Sequence, residues 1–299
     1  MRREDKDRPI ASDGLIARDN GAWAKDKLAF LDEFVPPALT ATSRKLQRYF
    51  VDLFAGPGKN VDADTGEEFD GSALRVLPMR SPRDPRVFFT HAKLVNLDVD
   101  DHEALHVRVD RLFADGACPM PRGHVEHLQA DANQVIFRIL RELDRDAYAL
   151  VFADIEAPNQ WPWDSVRALR SLGHKSIDLY LLFPLTMGIN RLVSWNRAAA
   201  EVNAPAMTRF YGNEDWKPVV EQRITEAHAA EMRRQLLDLY MEQLRALGWA
   251  YVQVARDIKR VGQAGLYKMI YASAHPAGER IATWSAGQAD KKNQLGFDL

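Results

Sequence analysis

The stretch VDLFAGPGKN, residues 51–60, holds the most chemically suggestive spacing in this sequence. Asp52 sits two residues before the end of an apolar run, Phe54 and Ala55 close that run, and Gly56 and Gly58 flank Pro57 in the turn that follows. Glycines at such a turn let the backbone approach a bound molecule with no Cβ in the way. In a doubly wound sheet the first strand ends at the point where ligands bind. Asp52 could then accept from an amine, directly or through water. The same residues also fit an Asp-bearing strand that runs into a tight turn, and short glycine motifs often mislead.

Two further strand ends carry acids. LVNLDVD places Asp98 and Asp100 where a second parallel strand should present a carboxylate. An acid there binds both hydroxyls of a ribose; two solvated loop acids are the alternative. LQADAN puts Asp131 and Ala132 at a third strand end, where an adenine amine would lie, and Asp131 could equally cap the next helix. Acids at three successive strand ends point to an adenosyl cofactor held across Asp52, Phe54, Ala55, Gly56, Gly58, Asp98, Asp131 and Ala132.

The reacting end should lie at a fourth strand, in ADIEAPNQWPW. Asp154 and Glu156 are placed there to orient an acceptor or take its proton. Gln160 and Trp161 follow, and a tryptophan face can stack on a planar substrate. The competing reading is a polar loop with Trp161 and Trp163 packed beneath it. Asn190 and Arg191, after a fifth strand, could contact substrate or anchor an insertion. The eight histidines suggest no metal site, and His124 and His127 straddle a strand. Neither a GxSxG elbow nor a GxxxxGK[ST] loop is present.

What positions these residues is an alternation of strands and helices. Strands are expected at 48–54, 93–100, 124–131, 149–154 and 177–185, and helices at 101–113, 133–143 and 164–172, the last capped by Asp164. The strands are apolar on both faces, as in a parallel sheet covered by helices on each side. A helix over 22–39 should stop at Pro36 and Pro37. Residues 59–71 read as a loop, and 71–79 as a short helix capped by Ser72. Residues 186–227 break the alternation as a helical insertion or lid. A long helix at 228–247 then ends at Gly248, before a hairpin of 250–258 and 266–273. The domain plan is a flexible tail at 1–21, a Rossmann-like cofactor-binding core at 22–185, the insertion, and the rest of the core at 228–299. The expected fold is α/β: a seven-stranded, mostly parallel sheet with a C-terminal antiparallel hairpin, the order of a class I methyltransferase.

Composition sets the outer limits. Hydrophobic residues make up 46% of 299, enough for a sizeable core. Forty basic and 42 acidic side chains give no global pull toward nucleic acid or anionic lipid. A single cysteine, Cys118, excludes an internal disulfide and a self-sufficient iron–sulfur cluster. The charged opening MRREDKDRPIASDG has no apolar signal region, and no apolar run reaches the roughly 18 residues of a transmembrane helix. A cytoplasmic location without membrane partners is expected.

Taken together, AWAKDKLAFLDEF, YFVDLFAGPG, GSALRVL, LVNLDVDD, QADANQVI, FADIEAPNQWPW, DLYLLFPLTMGINRL and LYKMIYASAHPAGERI resemble the three-Cys-motif partner (TcmP) family. The resemblance implies a core that binds S-adenosylmethionine and a partner protein with three cysteines, a radical enzyme with an iron–sulfur cluster. The family's Asp-Pro-aromatic-Gly turn is replaced here by Asp154-Ile155-Glu156-Ala157-Pro158. Two functions fit these residues. One is a methyltransferase whose acceptor could be nucleic acid met by the basic RDIKR stretch, 256–260. The other is a non-catalytic module of the same fold that binds a protein or nucleic acid.

Overall fold

The computed structural model describes residues 8–21, 23–185, 189, 197–226, 229–258 and 267–297. Its centre is β2 (Arg48–Asp52), buried along its whole length. β2 pairs in parallel with β5 (His91–Asn96) on one side and β7 (Tyr148–Ala153) on the other. β6 (Val125–Gln129) extends the sheet beyond β5, and β8 (Ser176–Phe183) extends it beyond β7, both in parallel. β10 (Tyr267–Ser273) and β9 (Tyr251–Ile258) then add as an antiparallel pair. The sheet order is β6-β5-β2-β7-β8-β10-β9. Order reverses between β5 and β7 on either side of β2, which creates a switch point at the C-terminal edge. This is the Rossmann-like fold of class I methyltransferases, the architecture expected from the sequence.

Two apolar layers cover the sheet. One face packs under α1 (Trp23–Ala41), α2 (Ser72–Val76), α3 (Val99–Ala114) and α9 (Pro276–Phe297), with Phe30, Phe34, Phe50, Tyr180 and Tyr271 at its centre. The other packs under α4 (Ala132–Glu142), α5 (Trp163–Ser171) and α8 (Ala229–Ala246). Within 186–227, the expected insertion, α6 (Arg197–Tyr211) and α7 (Trp216–Glu226) are helical. Phe210, Tyr211 and Trp216 join the second layer around Tyr240 and are not solvent-facing aromatics. After α8, Gly248 takes φ +102°, as its C′ role requires.

The structure departs from sequence expectation in four places. First, α1 runs through Pro36 and Pro37 to Ala41. Both prolines lie on its partly exposed side. Phe34, Val35, Ala38 and Leu39 stay buried across the break. Second, residues 59–71 form a hairpin, β3 (Lys59–Asp62) and β4 (Glu68–Asp70), and are not a loop. Asp62 Oδ1 accepts from the amides of Asp64 and Thr65 and so tightens the turn. Third, residues 8–20 are not a free tail. β1 (Arg18–Asn20) pairs in parallel with β3, and Asp13 holds the Arg108 guanidinium with both oxygens at 2.7 and 2.8 Å. Fourth, neither Asp164 nor Ser72 caps its helix. Pro162 and Gly71 occupy those N-cap positions, and Asp164 instead pairs with Arg167.

Candidate active site

The apolar β2 strand drives Asp52 into the core at the switch point, where it is 0% exposed. Ser72 Oγ donates to its Oδ2 at 2.5 Å and the Phe54 amide to its Oδ1 at 3.3 Å. Burial is the largest influence and pushes this carboxyl up to about 7, against those two hydrogen bonds. Ser72, read from sequence as a cap, is therefore the partner of the central acid.

The turn beyond Asp52 is stapled in place. The Ala55 amide donates to Val95 O, Asn96 Nδ2 donates to Gly56 O at 2.9 Å, and the Gly71 amide donates to Gly58 O at 2.7 Å. Gly56 and Gly58 adopt φ +62° and +90°, the left-handed region that favours glycine. Their open sides face different neighbours. A Cβ on Gly56 would lie 3.5 Å from the Arg18 guanidinium, and one on Gly58 only 2.9 Å from Leu105 on α3. Gly58 thus packs closely against α3, and both glycines line a crevice. That crevice encloses about 300 Å3 with its mouth and includes Arg18, Lys27, Phe54, Ala55, Ser72 and Asp154 in its walls.

Asp154 follows β7 and is 8% exposed. Lys27 Nζ, from the first turns of α1, forms an ion pair with its Oδ2. The other oxygen, Oδ1, is buried in the crevice wall with no hydrogen-bond partner. A buried, unpaired carboxylate oxygen is costly, and a ligand N–H or O–H would satisfy it. Arg18 lies beside this pair, with Nη1 at 3.9 Å from Glu156 Oε1. Burial opposes its charge, but Glu156, Asp154, Asp101 and Asp52 together raise its affinity for the proton above the usual value.

Asp98 and Asp131 occupy the neighbouring strand ends, outside the walls of that crevice. Asp98 is the N-cap of α3: it accepts from the Asp101 amide at 3.0 Å and faces Arg8 Nη1 at 3.2 Å. The amide bond, aided by Arg8, holds this carboxyl below the usual range despite partial burial. Asp131 is the N-cap of α4, with Ala132 buried as that helix's first residue. Leu97 and Val99, flanking Asp98, are 71% and 51% exposed, an apolar ledge beside that acid.

The fourth-strand loop takes the packed form that the sequence offered as its alternative reading. Gln160 Oε1 accepts from the amides of Glu156 and Ala157, at 2.6 and 3.1 Å, so this side chain braces its own turn. Trp161 is 0% exposed and meets Phe54 edge-on, which leaves no free face for a planar substrate. Asn190 and Arg191 lie outside the described residues. His102 and His106 are one helical turn apart on α3 and face His127, yet no group among the described residues could hold a metal ion.

No protein-family model matches the chain, and no curated protein does. Among solved structures it is similar to a Legionella pneumophila protein assigned to family DUF519, at 9% identity and TM-score 0.44, over 89% of this chain and 91% of that one. It is also similar to a proposed S-adenosylmethionine-dependent methyltransferase from Methanococcus maripaludis (13% identity, TM-score 0.33, 84% and 87% coverage). A third is a proposed sarcosine dimethylglycine methyltransferase from Galdieria sulphuraria (12%, 0.29, 82% and 86%). The fold assignment rests on the strand order of this chain, not on those scores.

Sequence reasoning missed Lys27, Arg18 and Asn96. Lys27 carried a legible signal, because it falls four residues from both Trp23 and Leu31 on the apolar face of α1. A lysine there needs a buried partner. Arg18 and Asn96 carried none, since only the pairing of β1 with β3 and the register of β5 bring them to Gly56.

Proposed function

We propose that this chain is an S-adenosylmethionine-dependent methyltransferase. The cofactor would lie across the strand ends, its ribose toward Asp98, its base toward Asp131 and Leu97, and its amino-acid end toward Asp52 and Gly56. The unpartnered Oδ1 of Asp154 carries the reading: a carboxylate in the crevice wall has one oxygen held by Lys27 and the other buried with no hydrogen-bond partner among the described residues. The residues present fit the cofactor's chemistry, with acids for its amine and hydroxyls and an exposed apolar ledge for its base. When bound, the cofactor would supply an activated methyl on a sulfonium, so the protein's task is alignment. Asp154 would accept the hydrogen bond of the attacking N–H or O–H and orient its lone pair. Lys27 would keep Oδ2 occupied, leaving Oδ1 for the acceptor. Glu156, at the mouth beside Arg18, would receive the departing proton.

The finer assignments have separate sources. The family resemblance supplies the three-cysteine partner; the nucleic-acid acceptor comes from the basic RDIKR stretch and the cytoplasmic setting from composition. Among the described residues no helix is long and apolar enough to cross a membrane. The substituted turn after Asp154 and the arginines over the acids favour the alternative of a non-catalytic binding module. Calorimetry separates the two. The methyltransferase reading expects S-adenosylmethionine to bind at about 10 μM, roughly 7 kcal/mol. It also expects Asp154→Asn to retain that affinity while losing about 10²–10⁴-fold in methylation of cellular nucleic acid or protein. Absence of binding by the intact chain would leave the module.

A further inference from the structure

A second cavity, about 980 Å3 with its mouth, opens at the opposite edge of the sheet, where β7 and β8 begin and β10 ends. Phe34 and Ala38 of α1 and Ala277 and Ile281 of α9 make its apolar walls. Asp178 of β8, only 7% exposed, lies in the wall. Its Oδ2 accepts from Tyr271 Oη at 2.6 Å and Tyr148 Oη at 3.1 Å, and Ser273 also hydrogen-bonds the carboxyl. Three hydroxyls solvate this carboxylate, but among the described residues no lysine or arginine pairs with it. A buried carboxylate in apolar surroundings ordinarily has a counter-charge. Burial raises its affinity for a proton, against its hydroxyl partners and the nearby His275.

The position of α9 preserves this arrangement. A Cβ on Gly278 would lie 2.5 Å from both Tyr271 Oη and Ser273 Oγ, so only glycine lets the helix start sit over the hydroxyl cluster. Arg44, Lys45 and Lys175 surround the mouth. The cavity therefore has a hydrogen-bonded carboxyl group in its wall, apolar sides and a positive rim.

We propose that this cavity binds a small zwitterion with an apolar body, an aliphatic α-amino acid, with its ammonium on Asp178 and its carboxylate toward Arg44, Lys45 and Lys175. A simple anion would meet the rim but oppose Asp178. A simple cation would meet Asp178 but cross three positive side chains. A neutral apolar molecule would leave Asp178 without an ammonium partner. Only a zwitterion answers both ends. The site shares no residue with the switch-point crevice and does not depend on the methyltransferase reading.

The test uses the full chain and three probes: L-leucine, 4-methylpentanoate, which lacks the ammonium, and 3-methylbutylamine, which lacks the carboxylate. Saturation-transfer NMR and calorimetry are expected to show leucine binding, with each single-charge analogue weaker by roughly tenfold or more. Asp178→Asn is expected to abolish the preference for leucine over 4-methylpentanoate. The paired substitution Arg44→Glu and Lys175→Glu, on exposed side chains, should abolish the preference over 3-methylbutylamine, so the proposal stays testable if Asp178→Asn fails to fold. No leucine binding at millimolar concentration overturns the proposal. So does equal binding of the three probes, or leucine binding unchanged by the rim substitutions.

Discussion

At the residue scale the two central acids behave differently because their partners differ. Asp52 has only a hydroxyl and one amide, so burial raises its pKa to about 7. An acid whose pKa is higher folded than unfolded binds more protons when folded. Its contribution to stability is full below about pH 4 and is lost as pH rises toward 7. Asp52→Asn should therefore raise stability at pH 8 and change little at pH 4, read from urea unfolding at both values. If the cofactor's amine rests on Asp52, its binding favours the ionised acid, so affinity for S-adenosylmethionine should rise from pH 5.5 to pH 8 (on the order of one pK unit on either side of 7). That gain should vanish in Asp52→Asn. Asp154, by contrast, shares its burial with Lys27. Lys27→Met would strand the carboxylate and should cost about 3–5 kcal/mol. Adding Asp154→Asn should recover much of that loss in a double-mutant cycle, which a merely additive pair would not show.

At the element scale the segment of residues 8–20 lies across the acids. Arg8 pairs with Asp98 and Asp101, and Arg18 stands over Gly56 beside Glu156. Asp13 anchors the segment to α3 through Arg108, whose Nη1 also donates to Ile16 O and Pro57 O. The crevice left open encloses only about 20 Å3 apart from its mouth, well below the roughly 300–1,000 Å3 of small-molecule sites. A cofactor ribose at Asp98 would compete with Arg8. Arg8→Ala should cost roughly 1–3 kcal/mol, because Asp98 is exposed but the buried Asp101 would also lose a charged partner. It should also tighten cofactor binding. Asp98→Ala should weaken binding by roughly 1.5–3 kcal/mol. Weaker binding in Arg8→Ala would mean that this arginine serves the ligand instead.

At the scale of the whole molecule, pH acts on groups in different layers with opposite signs. His127 packs between His106 and His102 with Nδ1 unpartnered, and burial first, then those neighbours, lowers its pKa to about 4. A base whose pKa is depressed in the fold binds fewer protons there, so its contribution is lost as pH falls from about 6.5 toward 4. Asp52 gains over that same window, and the two partly cancel. In His127→Phe the acid-side loss should diminish while the slope above pH 5 from Asp52 remains, as followed by thermal melts across pH 4–8 (a window of about two units on each side of the His reference). An unchanged acid limb would place the titration elsewhere.

Local pattern was sufficient for the sheet. Apolar runs at strand length, separated by amphipathic helices and closed by a two-strand hairpin, allow few packings other than a parallel sheet with helices on both faces. Asp52, Gly56, Asp98, Asp131 and Asp154 could be placed from sequence because strand ends in that topology share one edge. Sequence could not say which acid would stay unpaired. Tertiary structure decided that, by bringing Lys27 of α1 to Asp154 and Ser72 to Asp52 across 127 and 20 residues. It also turned Gln160 and Trp161 inward: a short loop satisfies its own amides before it serves a ligand, and a large ring is worth more buried than exposed. Arg8 and Arg18 came to the acids only through the pairing of β1 with β3 and the Asp13–Arg108 anchor. Strand and helix follow from short-range periodicity; which charges meet depends on contacts between segments far apart in the chain, and periodicity carries no record of them.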